Sequence, residues 1–460
     1  MSRQRVCVQG LGYVGAAMAV ACARVGAQAC GKPYFDVVGL DLDTASGRQR
    51  IDAINSGTFP FETTDQHLLA ETEAAVKAGN LRASSDASVI ADSDIVVVDV
   101  HFDIGDLQPD TLVDFAPFRQ AIRTIGERIA PDALVVVETT VLPGTCERVV
   151  RPELDLALER RGLPRGGILL AHSYERVMPG ADYLASITDY WRVFAGETKA
   201  AGDACEAFLS KVIKTADFPL TRLDSLTASE VAKVLENTYR AVNIAFIDEW
   251  TQFAERIGVD LFQVVNAIRL RPTHSNIRQP GFGVGGYCLT KDPLFGPLAA
   301  RELFGLPELS FSFSQLAVAV NQHMPLHVLA KIRSGVGGSL SGKSILLAGV
   351  SYRADVGDTR YSPAETLSRA AREEGAILTF WDPLLSCWEE MDAPVARTMT
   401  ACPDVDAVVF AVAHKEFRDI QPEAWLSGRA PLIIDANDVL TPDQRAAFVT
   451  RCTLQCVGRG

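Results

Sequence analysis

Apolar and polar positions fall into two kinds of block along this chain. Short apolar runs without polar alternation mark strands buried on both faces, at Arg5 to Val8, Asp36 to Leu42, Asp94 to Val100, Ala133 to Glu138 and Ile168 to Leu170. Helical stretches lie between them, starting with the small-residue run Ala16 to Val25. This alternation predicts a doubly wound α/β domain around a parallel sheet. The pattern then turns helical. Thr227 opens a long helix, with Glu230 three residues on in a capping-box arrangement and Gly258 as the stop signal after Ile257. Such a helix is about 46 Å long, a length suited to a subunit interface. A further helical stretch, Ser314 to Arg333, leads into a second α/β series. Its strands are Ser344 to Val350, Ile377 to Trp381, Ala407 to Val412 and Leu432 to Asp435, with a helix from Pro363 to Glu374.

Composition narrows the function classes. A chain of 460 residues that is 48% hydrophobic has apolar content for two to four cores. No apolar run reaches the ~18 residues that a membrane span needs, and no signal-peptide pattern is present. A net charge of −13 with no basic block argues against general nucleic-acid binding. Ten cysteines, of which Cys452 and Cys456 are the closest pair, follow neither a disulfide framework nor zinc-ligand spacing. The expectation is a reduced, cytoplasmic protein without a metal site.

Two glycine-rich stretches carry the candidate chemistry. Gly10-Leu11-Gly12-Tyr13-Val14-Gly15 follows the first strand and opens a helix. In that context G-x-G-x-x-G is a dinucleotide-binding turn, with the phosphates at the helix N-terminus. Asp41, near the end of the second strand, suits a ribose 2′-hydroxyl and repels a 2′-phosphate, which favours NAD over NADP. Its spacing from the loop is longer than usual, with Gly31-Lys32-Pro33 as the inserted turn. The second stretch is GFGVGGYCLTKDP, from Gly281 to Pro293. Four glycines allow close backbone approach to a ligand and present Cys288, followed by Lys291 and Asp292. A thiol so placed reads as a nucleophile, although an isolated cysteine beside a turn is commonly a packing element. Thr140 and Glu175 each follow a strand, at the carboxyl end where open parallel sheets bind ligands. Lys233 and Asn237 are four apart, on one face of the long helix. Gly337 to Ser344 spells GGSLSGKS, a match to the P-loop pattern, but it follows a helix and opens a strand, the reverse of what a P-loop needs.

Four segments in order resemble the UDP-glucose/GDP-mannose dehydrogenase family over nearly the whole chain. They are GLGYVG, ASEVAKVLENTYRAVNIAFIDE, GFGVGGYCLTKDP and YRADVGDTRYSPA. The resemblance implies an α/β fold of two Rossmann-like doubly wound domains joined by a central helical dimerisation domain. The boundaries read as 1–205 for the NAD-binding domain, 206–325 for the helical domain with the cysteine loop, and 326–460 for the UDP-sugar-binding domain. It implies a homodimer or higher homo-oligomer, and a four-electron oxidation of a sugar C6 alcohol to a carboxylate with NAD. Cys288 then forms a thiohemiacetal and a thioester, while Lys233 and Asn237 stabilise the oxyanion at C6. Asp292 matches the family's loop aspartate, Glu175 its base for thioester hydrolysis, and Thr140 its water-holding threonine. On the same basis Gly10, Gly12, Tyr13, Val14, Gly15, Asp41, Thr140 and Arg360 fall to the cofactor. Glu175, Arg176, Lys233, Asn237, His274, Gly285 and Arg353 fall to the UDP-sugar. Asp99-Val100-His101-Phe102 replaces a Pro-Thr-Pro segment, Tyr287 a histidine, and His274 an arginine. Glu175-Arg176-Val177-Met178-Pro179-Gly180 resembles the ER-x-x-PG form of members acting on UDP-N-acetylglucosamine or UDP-N-acetylmannosamine, which ranks a UDP-linked N-acetylhexosamine ahead of UDP-glucose. The competing readings are a two-electron β-hydroxyacid-type dehydrogenase, which needs no Cys288, and a non-catalytic nucleotide-sugar sensor.

Overall fold

The computed structural model describes residues 3–26, 32–105 and 112–460; Gly31 of the expected inserted turn lies outside them. The chain divides into two compact units, 1–235 with 295–310, and 236–294 with 311–460. The boundaries expected after 205 and 325 fall inside the helices Lys199–Val212 and Ser312–Gly335.

In the first unit the strands are β1 (Gln4–Gln9), β2 (Phe35–Leu40), β3 (Leu81–Ser84), β4 (Ile95–Val98), β5 (Leu134–Val137), β6 (Leu169–His172), β7 (Val193–Gly196) and β8 (Thr221–Arg222). They form one sheet in the order β3-β2-β1-β4-β5-β6-β7-β8. Every neighbouring pair is parallel except β6 with β7. The central strands IVVV and LVVV are buried along their whole length, as a sheet covered on both faces requires. The order reverses beside β1, and such a switch point opens a crevice at the carboxyl ends of β1 and β4. The helix after β1, Tyr13–Ala23, is buried from Gly15 to Ala23. Its small side chains let it lie close on the sheet, and it has no polar face because none of it faces water.

In the second unit β9 (Ser344–Ala348), β10 (Ile377–Trp381), β13 (Ala407–Phe410), β14 (Leu432–Asp435) and β15 (Leu454–Cys456) form a parallel sheet in the order β10-β9-β13-β14-β15. A two-stranded ribbon of β11 (Cys387–Trp388) and β12 (Ala393–Pro394) stands apart from it. The switch point here lies between β9 and β13. GGSLSGKS sits between the helix Ser312–Gly335 and β9, with Lys343 Nζ 2.9 Å from Asp406, so it builds no phosphate loop.

The long helix is Leu226–Arg256, 31 residues. Its capping differs from the expected Thr227–Glu230 box. Ser225 Oγ accepts the Ala228 N–H at 3.1 Å and caps the helix. Glu230 instead turns inward and accepts the N–H groups of Gly144 and Cys146, at 2.6 and 2.7 Å. It ties the helix to the turn after β5. Gly258, at φ 73°, ends the helix as its sequence position suggests.

Candidate active site

The dinucleotide turn divides its glycines between packing and access. A Cβ on Gly10, at φ +97°, would lie 2.5 Å from the Asp99 carbonyl oxygen, and one on Gly15 would lie 1.9 Å from the Gly10 oxygen. A Cβ on Gly12 would meet nothing within 4 Å. Gly12 is therefore the open face, and as the N-cap of the helix it brings no side chain to the first-turn N–H groups. Those residues fit a dinucleotide pyrophosphate. Tyr13, stacked on Phe61 at 4.1 Å, and Val14 continue that face. Asp41 follows β2 directly, and its carboxylate accepts the N–H of Leu11 at 3.3 Å and of Leu42 at 2.7 Å. Arg50 Nε also reaches it, at 2.7 Å, a partner that the sequence reading missed because it enters from the following helix.

Polar groups gather at the carboxyl ends of β4, β5 and β6. Glu138 pairs with Arg192, both buried. Asp99 Oδ2 and Glu138 Oε2 are both buried without a hydrogen-bond partner. Burial, and then the Glu138 charge, push the Asp99 carboxyl well above its usual range, so Asp99 keeps its proton to higher pH. Thr139 Oγ1 bonds the Val98 and Val100 carbonyls at 3.0 and 2.8 Å, and half-buried Thr140 follows it. Lys233 Nζ donates to the Glu175 carbonyl at 2.7 Å and lies 3.6 Å from its carboxylate. Next to them burial, helped by Lys233, pushes the His172 imidazole down to about 3, so it stays neutral; its Nδ1 lies 2.8 Å from Ser229 Oγ. Arg176 is engaged by protein, with the Trp191 carbonyl and the Tyr174 hydroxyl as partners.

The cysteine loop belongs to the second unit. Its glycines make a close approach, but to protein rather than to open space. A Cβ on Gly285 would lie 2.7 Å from Tyr352 Cβ and 2.9 Å from the Tyr361 oxygen, and one on Gly286 would lie 2.8 Å from the Tyr352 ring. The sequence reading had assigned that closeness to a ligand. Cys288 is exposed, and its carbonyl accepts the N–H groups of Lys291 and Asp292 at 3.2 and 2.9 Å, which forms the turn. Beneath it Asp292, fully buried, takes Lys291 Nζ on one oxygen and Asn237 Nδ2 on the other, each at 2.7 Å. Asn237 and Asp292, predicted separately, thus meet. Lys291 joins them; the sequence had offered it only as a nearby cation. Arg353 and Arg360 are exposed on the loop after β9, with Arg360 hydrogen-bonded to Asp358 at 2.7 Å. His274 is exposed on a short turn, 2.9 Å from Thr273 Oγ1.

Comparison with known proteins agrees with this geometry along the chain. Residues 4–213 match the NAD binding domain of the UDP-glucose/GDP-mannose dehydrogenase family, residues 227–323 its central domain and residues 346–442 its UDP binding domain. The UDP-N-acetyl-D-mannosamine dehydrogenase of Pyrococcus horikoshii is 29% identical, with 99% of each chain covered. A solved structure of the P. horikoshii UDP-N-acetyl-mannosamine dehydrogenase superposes with a TM-score of 0.79 at 26% identity, covering 99% of this chain and 100% of the other. The NDP-N-acetyl-D-galactosaminuronic acid dehydrogenase of Methanosarcina mazei gives a TM-score of 0.78 at 26% identity, covering 99% and 95%. With an open dinucleotide turn at one switch point and all three family domains in order, the chain belongs to the UDP-glucose/GDP-mannose dehydrogenase family and is an NAD-dependent nucleotide-sugar dehydrogenase.

Proposed function

We propose that this enzyme oxidises the C6 alcohol of a UDP-linked N-acetylhexosamine to the uronate, in a four-electron reaction relayed through Cys288. The observation that carries the reading is the thiol itself: exposed, on a turn whose base is the buried Lys291–Asp292–Asn237 group. A cysteine with a packing role alone belongs in the interior. Overall, alcohol, two NAD+ and water become carboxylate, two NADH and three protons. NAD+, which the Gly10–Gly15 turn and Asp41 would hold, would supply the hydride acceptor for both oxidations at C6. Between them Cys288 sulfur bonds to the aldehyde carbon, which holds a reactive species as a thiohemiacetal. After the second oxidation water attacks the thioester carbon and the thiolate leaves. Asn237 and Lys233 serve the oxyanion, a charge that ordered donors in a buried site stabilise strongly. Glu175 takes the proton of the attacking water, and Thr140 orients that water. Asp292 holds Asn237 in place. Arg353 and Arg360 offer guanidinium groups to the nucleotide phosphates.

The N-acetylhexosamine assignment rests on the ER-x-x-PG form, in which Pro179 stands where members acting on UDP-glucose and GDP-mannose tend to carry an acidic residue, a change compatible with a bulkier C2 substituent. It also rests on the named activities of relatives from P. horikoshii and M. mazei. A panel of UDP-N-acetylglucosamine, UDP-N-acetylmannosamine, UDP-glucose and GDP-mannose, read by NADH production, tests it. One of the N-acetylhexosamines is expected to exceed UDP-glucose in kcat/KM by about 10-fold or more. UDP-glucose as the best substrate would refute the sugar assignment and leave the thiol chemistry standing.

The enzyme acts as a homodimer in this proposal. Tyr239, Phe246, Trp250 and Phe253 on the long helix, and Ile257 directly after it, are each between 48% and 55% exposed. The last four follow a 4-3-4 spacing, which sets them in one seam, and an apolar seam of that kind suits a partner helix.

A further inference from the structure

Ser351, Asp382 and His414 meet at the carboxyl ends of β9, β10 and β13, all three fully buried. His414 Nε2 lies 3.2 Å from Asp382 Oδ2 and 3.0 Å from Ser351 Oγ. Asp382 Oδ2 also accepts the N–H groups of Val350 and Ser351, at 3.0 and 3.1 Å. The other imidazole nitrogen, Nδ1, accepts the N–H of Asp355 at 3.1 Å. A nitrogen that accepts a backbone N–H carries no proton, so the proton of the neutral ring sits on Nε2, which faces both Asp382 and Ser351.

The three residue types invite a hydrolytic reading, which the geometry rejects. A Ser-His-Asp triad needs the serine on one imidazole nitrogen and the carboxylate on the other. Here both share Nε2, a backbone N–H occupies Nδ1, and the serine is fully buried. What the ring does instead is hold a turn at two points. It binds Ser351 with one nitrogen and Asp355 with the other. Asp355 sits at φ 59°, a conformation that a non-glycine residue keeps only when its surroundings hold it.

The segment that continues from this turn is the buttress of the cysteine loop. Tyr352 fills the space beside Gly285 and Gly286, the Arg360 carbonyl accepts the Gly286 N–H at 3.2 Å, and the Tyr361 ring lies 6.1 Å from that of Tyr287. Tyr361 is itself at φ 52°. Contacts this close leave no slack, so a shift of 352–361 passes directly to residues two and three before the thiol. We propose that His414 is a positioning residue for Cys288: by pinning the 351–355 turn it fixes the loop on which the thiol stands. The proposal rests on the relay reading of Cys288.

The test compares the wild type with His414→Ala, His414→Asn and His414→Gln. Each is assayed for kcat, for NADH formed per sugar consumed, and for aldehyde trapped by hydroxylamine. The ratio is independent of how much enzyme is correctly folded, so a merely structural loss leaves it at two. A displaced thiol captures aldehyde poorly. His414→Ala is expected to lose on the order of 10- to 100-fold in kcat, to fall below two NADH per sugar and to release aldehyde. Asn offers an oxygen where Nδ1 stood and is expected to restore both ratio and rate; Gln reaches Asp382 but not Asp355 and restores less. Should the alanine variant fail to fold, the order of Asn over Gln in the ratio decides alone. A ratio of two in every folded variant, or Gln matching Asn, overturns the proposal. One NADH per sugar from the wild type would instead bring down the relay reading on which it rests.

Discussion

Asp99 shows how little of a buried charge is visible before folding. As part of Asp99-Val100-His101-Phe102 it marked a departure from the family pattern, but nothing local pointed to Glu138. Their meeting follows from the β4–β5 register, Val98 beside Val137, which sets the next residues side by side. Arg192, from a distant strand edge, completes the group. Asp41 and Asp292 were legible as candidates because their motifs are local; Arg50 and Lys291 as their partners were not. The raised proton affinity of Asp99 has a consequence for stability. Because the folded-state affinity of Asp99 for its proton is raised, the folded protein holds a proton that the unfolded chain has released once pH exceeds the ordinary aspartate value of 3.8. Stability from this site is fully present below that pH and is lost as pH rises toward the raised value. Asp99→Asn keeps the shape of the side chain without titrating. Its unfolding free energy should match wild type near pH 4 and exceed it at pH 8 by roughly 1–3 kcal/mol, the usual cost of a poorly satisfied buried group. A difference that does not change with pH would show that Asp99 is ionised in the fold.

At the scale of elements, the long buried runs and the two glycine turns were legible, since periodicity and backbone freedom are local properties. β15 and the ribbon β11–β12 were not, being two or three residues long. The capping box at Thr227 failed for a different reason. Glu230 has stronger partners in the Gly144 and Cys146 amides, a contact across more than 80 residues that no local pattern encodes. The dinucleotide turn offers a direct test of its division of labour. Gly15→Ala sets a Cβ against the Gly10 oxygen and should destabilise the first unit by about 1–3 kcal/mol or more. Gly12→Ala has room in the folded protein, so its thermal midpoint should stay within about 2 °C of wild type, while KM for NAD rises by ~10-fold or more because the new methyl stands where the pyrophosphate approaches. Equal effects of the two changes on stability would contradict the assignment.

For the molecule as a whole, the order of four motifs identified two nucleotide domains and a helical centre. The division of the chain into units was not legible, because residues 295–310 pack with the first unit although they follow the cysteine loop. Among the described residues no helix is long and apolar enough to cross a membrane. The half-exposed aromatic seam of the long helix is the counterpart of that packing at the surface. Trp250→Glu with Phe253→Glu should weaken self-association by ~30-fold or more, as loss of central aromatic anchors does, and give a monomer in sedimentation velocity at concentrations where the wild type is dimeric. A wild-type monomer would remove the dimer proposal. The relay through Cys288 is the claim on which the rest depends, and counting electrons tests it most directly. With limiting sugar nucleotide and excess NAD, the wild type should form two NADH per sugar with no free aldehyde. Cys288→Ala should abolish uronate formation while NAD and sugar-nucleotide binding persist. Uronate produced at near wild-type rate by Cys288→Ala, or one NADH per sugar from the wild type with aldehyde accumulating, would contradict it.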